Sequence, residues 1–234
     1  LAQNDSAMIC IGMPPPSYMS SPLRVMALDD SVDLEELCND VGRIFFEYGI
    51  LEQKLQDSVN KGLAIQHMVD IMLPYFSGNE LMVVNSDFRI IAKSARSDNA
   101  VERLGLGQVD EEGYLPPEMV NLLKNDIQFN RARNLTEPFF FESSFASTRD
   151  LCMNVFFRGE YACRVILLEI ASPFRSYDPG LLRFFTSFIQ LVYDLSSSDS
   201  SILPSDTMAD IFIDLINGQP VEKWRLQNSF GRRS

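Results

Sequence analysis

The chain of 234 residues holds one histidine, one tryptophan and four cysteines, and each scarcity removes a class of chemistry. His67 has no clustered ligands around it, so metal hydrolysis and Ser-His or Cys-His nucleophilic catalysis have no set of groups to work with. Cys10, Cys38, Cys152 and Cys163 form no C-x-x-C pair, which leaves neither a zinc site nor a disulfide framework, and they read as isolated buried thiols. No run approaches the roughly 18 apolar residues that a membrane span needs, and the first residues show no basic stretch followed by an apolar one. A soluble, cytoplasmic protein without a membrane partner is the expectation. Phosphate loops and nucleophile elbows are absent too: Gly105-Leu106-Gly107 lacks the further glycines and the Lys-Ser/Thr pair, and no G-x-S-x-G occurs. The acidic groups Asp29-Asp30 and Asp110-Glu111-Glu112 sit beside turns and helix starts, where capping accounts for them. No catalytic residue, metal or cofactor is expected.

Positive charge is the minority sign, 20 lysines and arginines against 32 acids for a formal net charge of -12, and such a surface repels a phosphate backbone. The imbalance is uneven: residues 1–80 carry twelve acidic and four basic side chains, residues 81–198 fifteen and twelve. Any contact with DNA is therefore expected only through a C-terminal part beyond this sequence.

What the chain has is apolar periodicity. Two β-like runs, residues 7–11 and 23–28, flank Pro14-Pro15-Pro16 and read as the tail of an upstream α/β segment over residues 1–32. Asp33 with Glu36 forms an Asp variant of the capping box and starts a helix near Leu34. From there Leu34, Val41, Tyr48 and Leu55 occupy one heptad position, and Leu37, Ile44 and Leu51 the other, over three heptads. Two readings stand: a coiled-coil seam that pairs two copies as a homodimer, or a platform packed within one chain, since Phe45 and Phe46 widen the stripe and Gly42 and Gly49 weaken the helix. Residues 63–76 form a second amphipathic helix with Leu63, Met68, Val69 and Met72, ending near Pro74. Together, residues 33–78 are the dimerisation and linker helices.

Residues 79–197 carry the compact domain. Residues 81–84, the turn Asn85-Ser86-Asp87 and residues 88–92 read as a hairpin; a helix over residues 116–129 follows. Strands over residues 136–144, 151–157 and 161–170 come next, the last two joined at Arg158-Gly159-Glu160. The helix of residues 179–195 closes the domain with Leu182, Phe185, Ile189 and Val192 on one face. This order gives an α+β fold, an antiparallel sheet with packed helices preceded by a long amphipathic helix. Finally, residues 198–234 hold a linker helix with Met208, Ile211, Phe212, Leu215 and Ile216 on one stripe, a Gly218 stop and a second helix with Val221 and Trp224 that reads as the truncated start of an effector half.

Three segments carry a family resemblance. IGMPPPSYMSSPLRVMALDDSVDLEELCNDVGRIFFEYGILEQKLQ (11–56), VFFRGEYACRVILLEIASPFRSYDPGLLRFFTSFIQLV (155–192) and TMADIFIDLINGQPVEKWRLQNSFG (207–231) resemble PucR-type bacterial transcriptional regulators, the family of purine-catabolism and sugar-diacid control. The resemblance implies a GAF-like sensor domain, with a PAS-like sheet as the alternative, and a helix-turn-helix in the part that follows. It also implies a pocket between the sheet and the middle section. There Phe139, Phe141 and Phe156 would supply apolar wall, while Arg131, Arg133, Arg149 and Asn154 would orient a small-molecule effector, an anion by preference. Two alternatives to a ligand-sensing and dimerisation region remain open: an assembly module that binds no ligand, and the sensor of a protein with a different output.

Overall fold

The computed structural model describes residues 7–19, 24–94, 109–142 and 149–196, and divides the chain into one unit up to Gln53 and a second from Lys54. The 198–234 segment, with its two expected helices, and the Gly105-Leu106-Gly107 stretch lie outside the described residues.

In the first unit β1 (Ala7–Ile11) and β2 (Arg24–Leu28) pair in parallel, Ala7 opposite Arg24 and Ile11 opposite Leu28, with a one-turn helix α1 (Pro16–Met19) between them. The long helix α2 (Leu34–Asn60) begins where the capping pattern places it: the Glu36 amide donates to Asp33 Oδ1 at 2.9 Å. Its first four turns are mostly exposed, with Leu34, Ile44, Phe45, Phe46, Tyr48 and Ile50 presenting large apolar side chains to the surface.

The second unit opens with the end of the same helix, where Leu55 and Val59 are buried. Gly62, at φ 63°, ends α2 in a Schellman geometry, its amide on Val59 O at 3.0 Å and that of Leu63 on Ser58 O at 2.9 Å. Leu63 therefore belongs to the turn, and α3 (Ile65–Met72) starts two residues later than the apolar spacing suggests, with Ile65, Met68, Val69 and Met72 buried. A 3-10 turn, Leu73–Phe76, takes Pro74 at its start and buries Phe76.

A five-stranded sheet follows, all of its pairs antiparallel, in the order β4-β3-β7-β6-β5. Its strands are β3 (Glu80–Asn85), β4 (Ile90–Lys93), β5 (Phe139–Glu142), β6 (Arg149–Phe157) and β7 (Glu160–Leu168). Between β4 and β5 the expected single helix is two, α4 (Pro117–Asn125) and α5 (Ile127–Ala132). The break is at Asp126, whose extended backbone ends α4 and whose carboxylate accepts from the Phe129 amide at 2.8 Å, capping α5. The tight turn between β6 and β7 has positive φ at Arg158 (52°) and Gly159 (82°), the twist that a two-residue hairpin requires.

Strand alternation sends the two faces to different partners. Leu81, Val83, Leu151, Val165 and Leu167 fall on the face covered by the closing helix α6 (Asp178–Ser196), which is packed on β6 and β7 and buries Leu182, Phe185, Ile189 and Val192. Met82, Val84, Cys152 and Leu168 fall on the other, under a cluster with Leu115, Met119, Leu123 and Phe129 from the α4–α5 segment. The unit is an α+β domain with helices packed on an antiparallel sheet. Among the described residues no helix is long and apolar enough to cross a membrane.

Candidate functional site

The second face buries a charged side chain in the middle of the sheet. Arg164 stands in the middle of β7, opposite Val84 on β3 and Asn154 on β6, and is only 3% exposed. An arginine stays protonated at any ordinary pH, so the fold buries a full positive charge in an otherwise apolar strand. Its Nε donates to Asn154 Oδ1 at 2.9 Å. Asn154 is itself fixed, because its Nδ2 donates to Ala132 O at 2.6 Å and Leu135 O at 2.8 Å, at the end of α5. The amide thus turns its oxygen toward the guanidinium and its nitrogen toward the carbonyls. Rings enclose the charge, with centroids at 4.5 Å (Phe129), 5.2 Å (Phe139), 5.8 Å (Phe141) and 5.9 Å (Tyr161) from the guanidinium carbon.

Nη2 of Arg164 is buried and has no hydrogen-bond partner among the described residues. Arg164 is part of the lining of a cavity of about 60 Å³ between the sheet and the α4–α5 segment, walled by Phe88, Leu123, Phe129 and Phe141. Ser86 enters the same cavity, 4% exposed, with a buried hydroxyl that likewise has no partner among the described residues.

The β3–β4 turn brings these groups in. Asn85 Oδ1 accepts from the amides of Asp87 (3.1 Å) and Arg89 (2.8 Å), and Ser86 N donates to Ala162 O at 2.8 Å. Phe88, which the apolar pattern places at the start of the returning strand, lies instead in the turn at φ 63°, a left-handed conformation that costs a residue with a Cβ about 1 kcal/mol. That conformation sets its ring 5.9 Å from Phe129, stacked, over the cavity.

Titration in this region follows burial. The Cys152 thiol and the Tyr161 phenol are both pushed up to about 12 by desolvation, with the Arg164 charge pulling each back. Cys163, also near 12 through burial, faces α6 and Tyr193. At neutral pH Cys152 and Cys163 are thiols and Tyr161 is a neutral phenol, so the fixed charges of the lining are those of Arg164, Arg133 and Asp150. Among the described residues no three His, Cys, Asp or Glu side chains gather as a metal site.

The residues that sequence singled out are dispersed. Arg133 and Phe141 line the cavity, Arg133 with its guanidinium 4.8 Å from the Tyr161 ring. Phe139 packs against the same cluster, and Asn154 lies behind Arg164 as its support. Arg131 is exposed on the last turn of α5. Arg149 is exposed at the start of β6, over Phe140 at 3.9 Å and 3.7 Å from Glu142, and Phe156 is half-buried with its ring 6.5 Å from Tyr161. Neither Arg131, Arg149 nor Phe156 is part of the cavity lining. Arg164, Ser86, Phe88, Phe129 and Tyr161 complete the site and were not singled out as ligand residues. On α2, Leu34, Ile44 and Tyr48 are exposed, and Leu37 and Val41 are intermediate. Leu51 and Leu55 are fully buried within one chain.

No family model matches this chain and no curated protein is similar to it. Among solved structures, it is similar to the GAF domain of an Acinetobacter phosphoenolpyruvate-protein phosphotransferase, at 11% identity and a TM-score of 0.43, over 66% of this chain and 96% of that one.

Proposed function

We propose that the chain is the ligand-sensing and dimerisation region of a bacterial transcriptional regulator of the PucR type, with a GAF-like sensor domain over residues 79–197. One observation carries the sensing part: a buried guanidinium with an unpartnered N–H, held through its Nε by Asn154, lines a cavity with an aromatic wall. A fold has no stability reason to leave a charged donor orphaned, since the missing hydrogen bond is worth about 1.5–3 kcal/mol, whereas a binding site does. Support for the regulator rests on the three resembling segments, and DNA would be reached only through sequence beyond this chain. No catalytic step belongs to this reading.

The mechanism is a population shift. A ligand that closes the cavity favours one packing of the α4–α5 segment on the sheet, and its effect is limited to its difference in affinity for the two arrangements. The test is a thermal-shift screen against purines, sugar diacids, carboxylic acids and nucleotides. A ligand at about 100 times its dissociation constant adds about 2.7 kcal/mol of stability. A hit that Arg164→Gln removes supports sensing, and silence across the panel with the folded protein refutes it.

A second reading, assembly without a ligand, is favoured by the exposed apolar residues of α2. Ile44 is 48% exposed, Phe45 73% and Phe46 69%, apolar surface that water disfavours and that a second copy of the chain would cover as a homodimer.

A further inference from the structure

We propose that the Arg164 cavity is a receptor for a short monocarboxylate of two to four carbons, its carboxylate on Arg164 Nη2 and its alkyl end against Phe88, Leu123 and Phe129. This rests on the sensor reading above and narrows it. Charge comes first. The chain as a whole is acidic, at a formal -12, yet two guanidiniums and one carboxylate line this cavity. Arg164 sits where water is least able to screen its charge, and an anion is the complement. The donors agree: Arg164 and Ser86 both line the cavity, and each has a buried donor, a guanidinium N–H and a hydroxyl, without a partner among the described residues, as a carboxylate's oxygens require.

Size comes next. The cavity measures about 60 Å³, against about 150 Å³ for one that holds benzene, so a small ligand fits it best. Purines, nucleotides and six-carbon diacids leave most of their atoms outside. The wall then separates the remaining anions. A phosphate or a second carboxylate would set charge against phenylalanine rings without donors, and the Asp150 carboxylate in the lining repels it further. A methyl or ethyl group, by contrast, gains from leaving water.

The test is calorimetric titration of the whole chain with formate, acetate, propionate, butyrate and hexanoate, with propionamide as the uncharged isostere and inorganic phosphate as the hard anion. Small ligands bind weakly, so dissociation constants of about 1 mM are the scale expected. Affinity should rise about fourfold per CH₂ from acetate, as each methylene leaves water, and fall again at hexanoate when the cavity is full. Propionamide and phosphate should bind at least tenfold more weakly than propionate. Ser86→Ala, which changes one buried hydroxyl, should weaken propionate severalfold with the fold intact, and Arg164→Gln should abolish binding. No heat with any carboxylate up to tens of millimolar, equal binding of propionamide, or tighter binding of phosphate overturns the proposal. A larger ligand from the thermal-shift panel that binds through Arg164 would overturn the short-carboxylate assignment and leave the sensor reading standing; an absence of every ligand would remove both.

Discussion

Asn154→Ala is the substitution that tests most directly how the site is held. The side chain joins three groups, two of them buried: Arg164 Nε donates to its oxygen at 2.9 Å, and its nitrogen donates to the carbonyls of Ala132 and Leu135 at 2.6 and 2.8 Å, the last part-buried. Alanine removes all three bonds in a region that water does not readily enter. A hydrogen bond to a charged group is worth about 1.5–3 kcal/mol, and a buried carbonyl left without a donor costs a further 1–3 kcal/mol. Local relaxation rescues one carbonyl at the end of a short helix, so a net loss of about 3–4 kcal/mol is expected. Asn154→Asp separates the contributions. It keeps, and strengthens, the contact with Arg164 but sets a carboxylate against two carbonyl oxygens, and its loss should fall to about half as much. Urea unfolding followed by far-ultraviolet circular dichroism gives both numbers through the shift in midpoint at constant slope. A loss below about 1 kcal/mol for alanine would refute the argument, because it would mean that Arg164 finds another acceptor without cost.

Other consequences are simpler. Because the folded protein holds the protons of Cys152, Cys163 and Tyr161 up to about 12, against ordinary values of 9.0 and 10.0, deprotonation favours the unfolded chain; urea midpoints should fall steadily as pH rises from 9 towards 12, and a flat profile there would contradict their burial. Asn79→Ala should cost about 2–4 kcal/mol, since Asn79 Oδ1 gathers the amides of Ile170, Ala171 and Ser172 and Nδ2 donates to Ser172 O, tying the chain after β7 to the start of β3; calorimetric melting checks it. Ile44→Glu with Phe45→Glu alters only exposed positions of α2 and should give a monomer by light scattering at nearly unchanged melting temperature, whereas a dimer mass that persists would move the interface elsewhere. Asp126→Ala removes the cap of α5 and should cost about 1 kcal/mol by urea unfolding.

Periodicity was a good guide wherever one physical effect dominated. The alternating and continuous apolar runs of β3, β6 and β7 and the stripe of α6 are decided by burial, and they lie where the spacing places them, within two residues. Errors came where a local hydrogen bond outweighed the pattern. The helix of residues 116–129 breaks because Asp126 satisfies a new helix start, and Phe88 leaves its strand because Asn85 accepts two amides of the turn. The site was legible in part: Arg133 and Phe141 line the cavity, while Arg131 and Arg149, loop arginines beside phenylalanines, are exposed. A better signal was in plain view. In YACRVILLEI one guanidinium interrupts a run that a covered strand would otherwise fill with apolar side chains, and a charge in such a place must be paired or used.

By itself, then, the sequence determined the class of fold and most of its elements, because the two- and 3.6-residue periods are properties of the chain read locally. It also set the net charge, at a formal -12. Tertiary structure alone decided that Arg164, Asn154 and Ser86, from three separate strands and turns, meet on one face of the sheet, and that Leu51 and Leu55 are buried while Ile44 is not. Those outcomes depend on strand register and on which face each helix covers, and both arise from contacts between residues far apart in the chain.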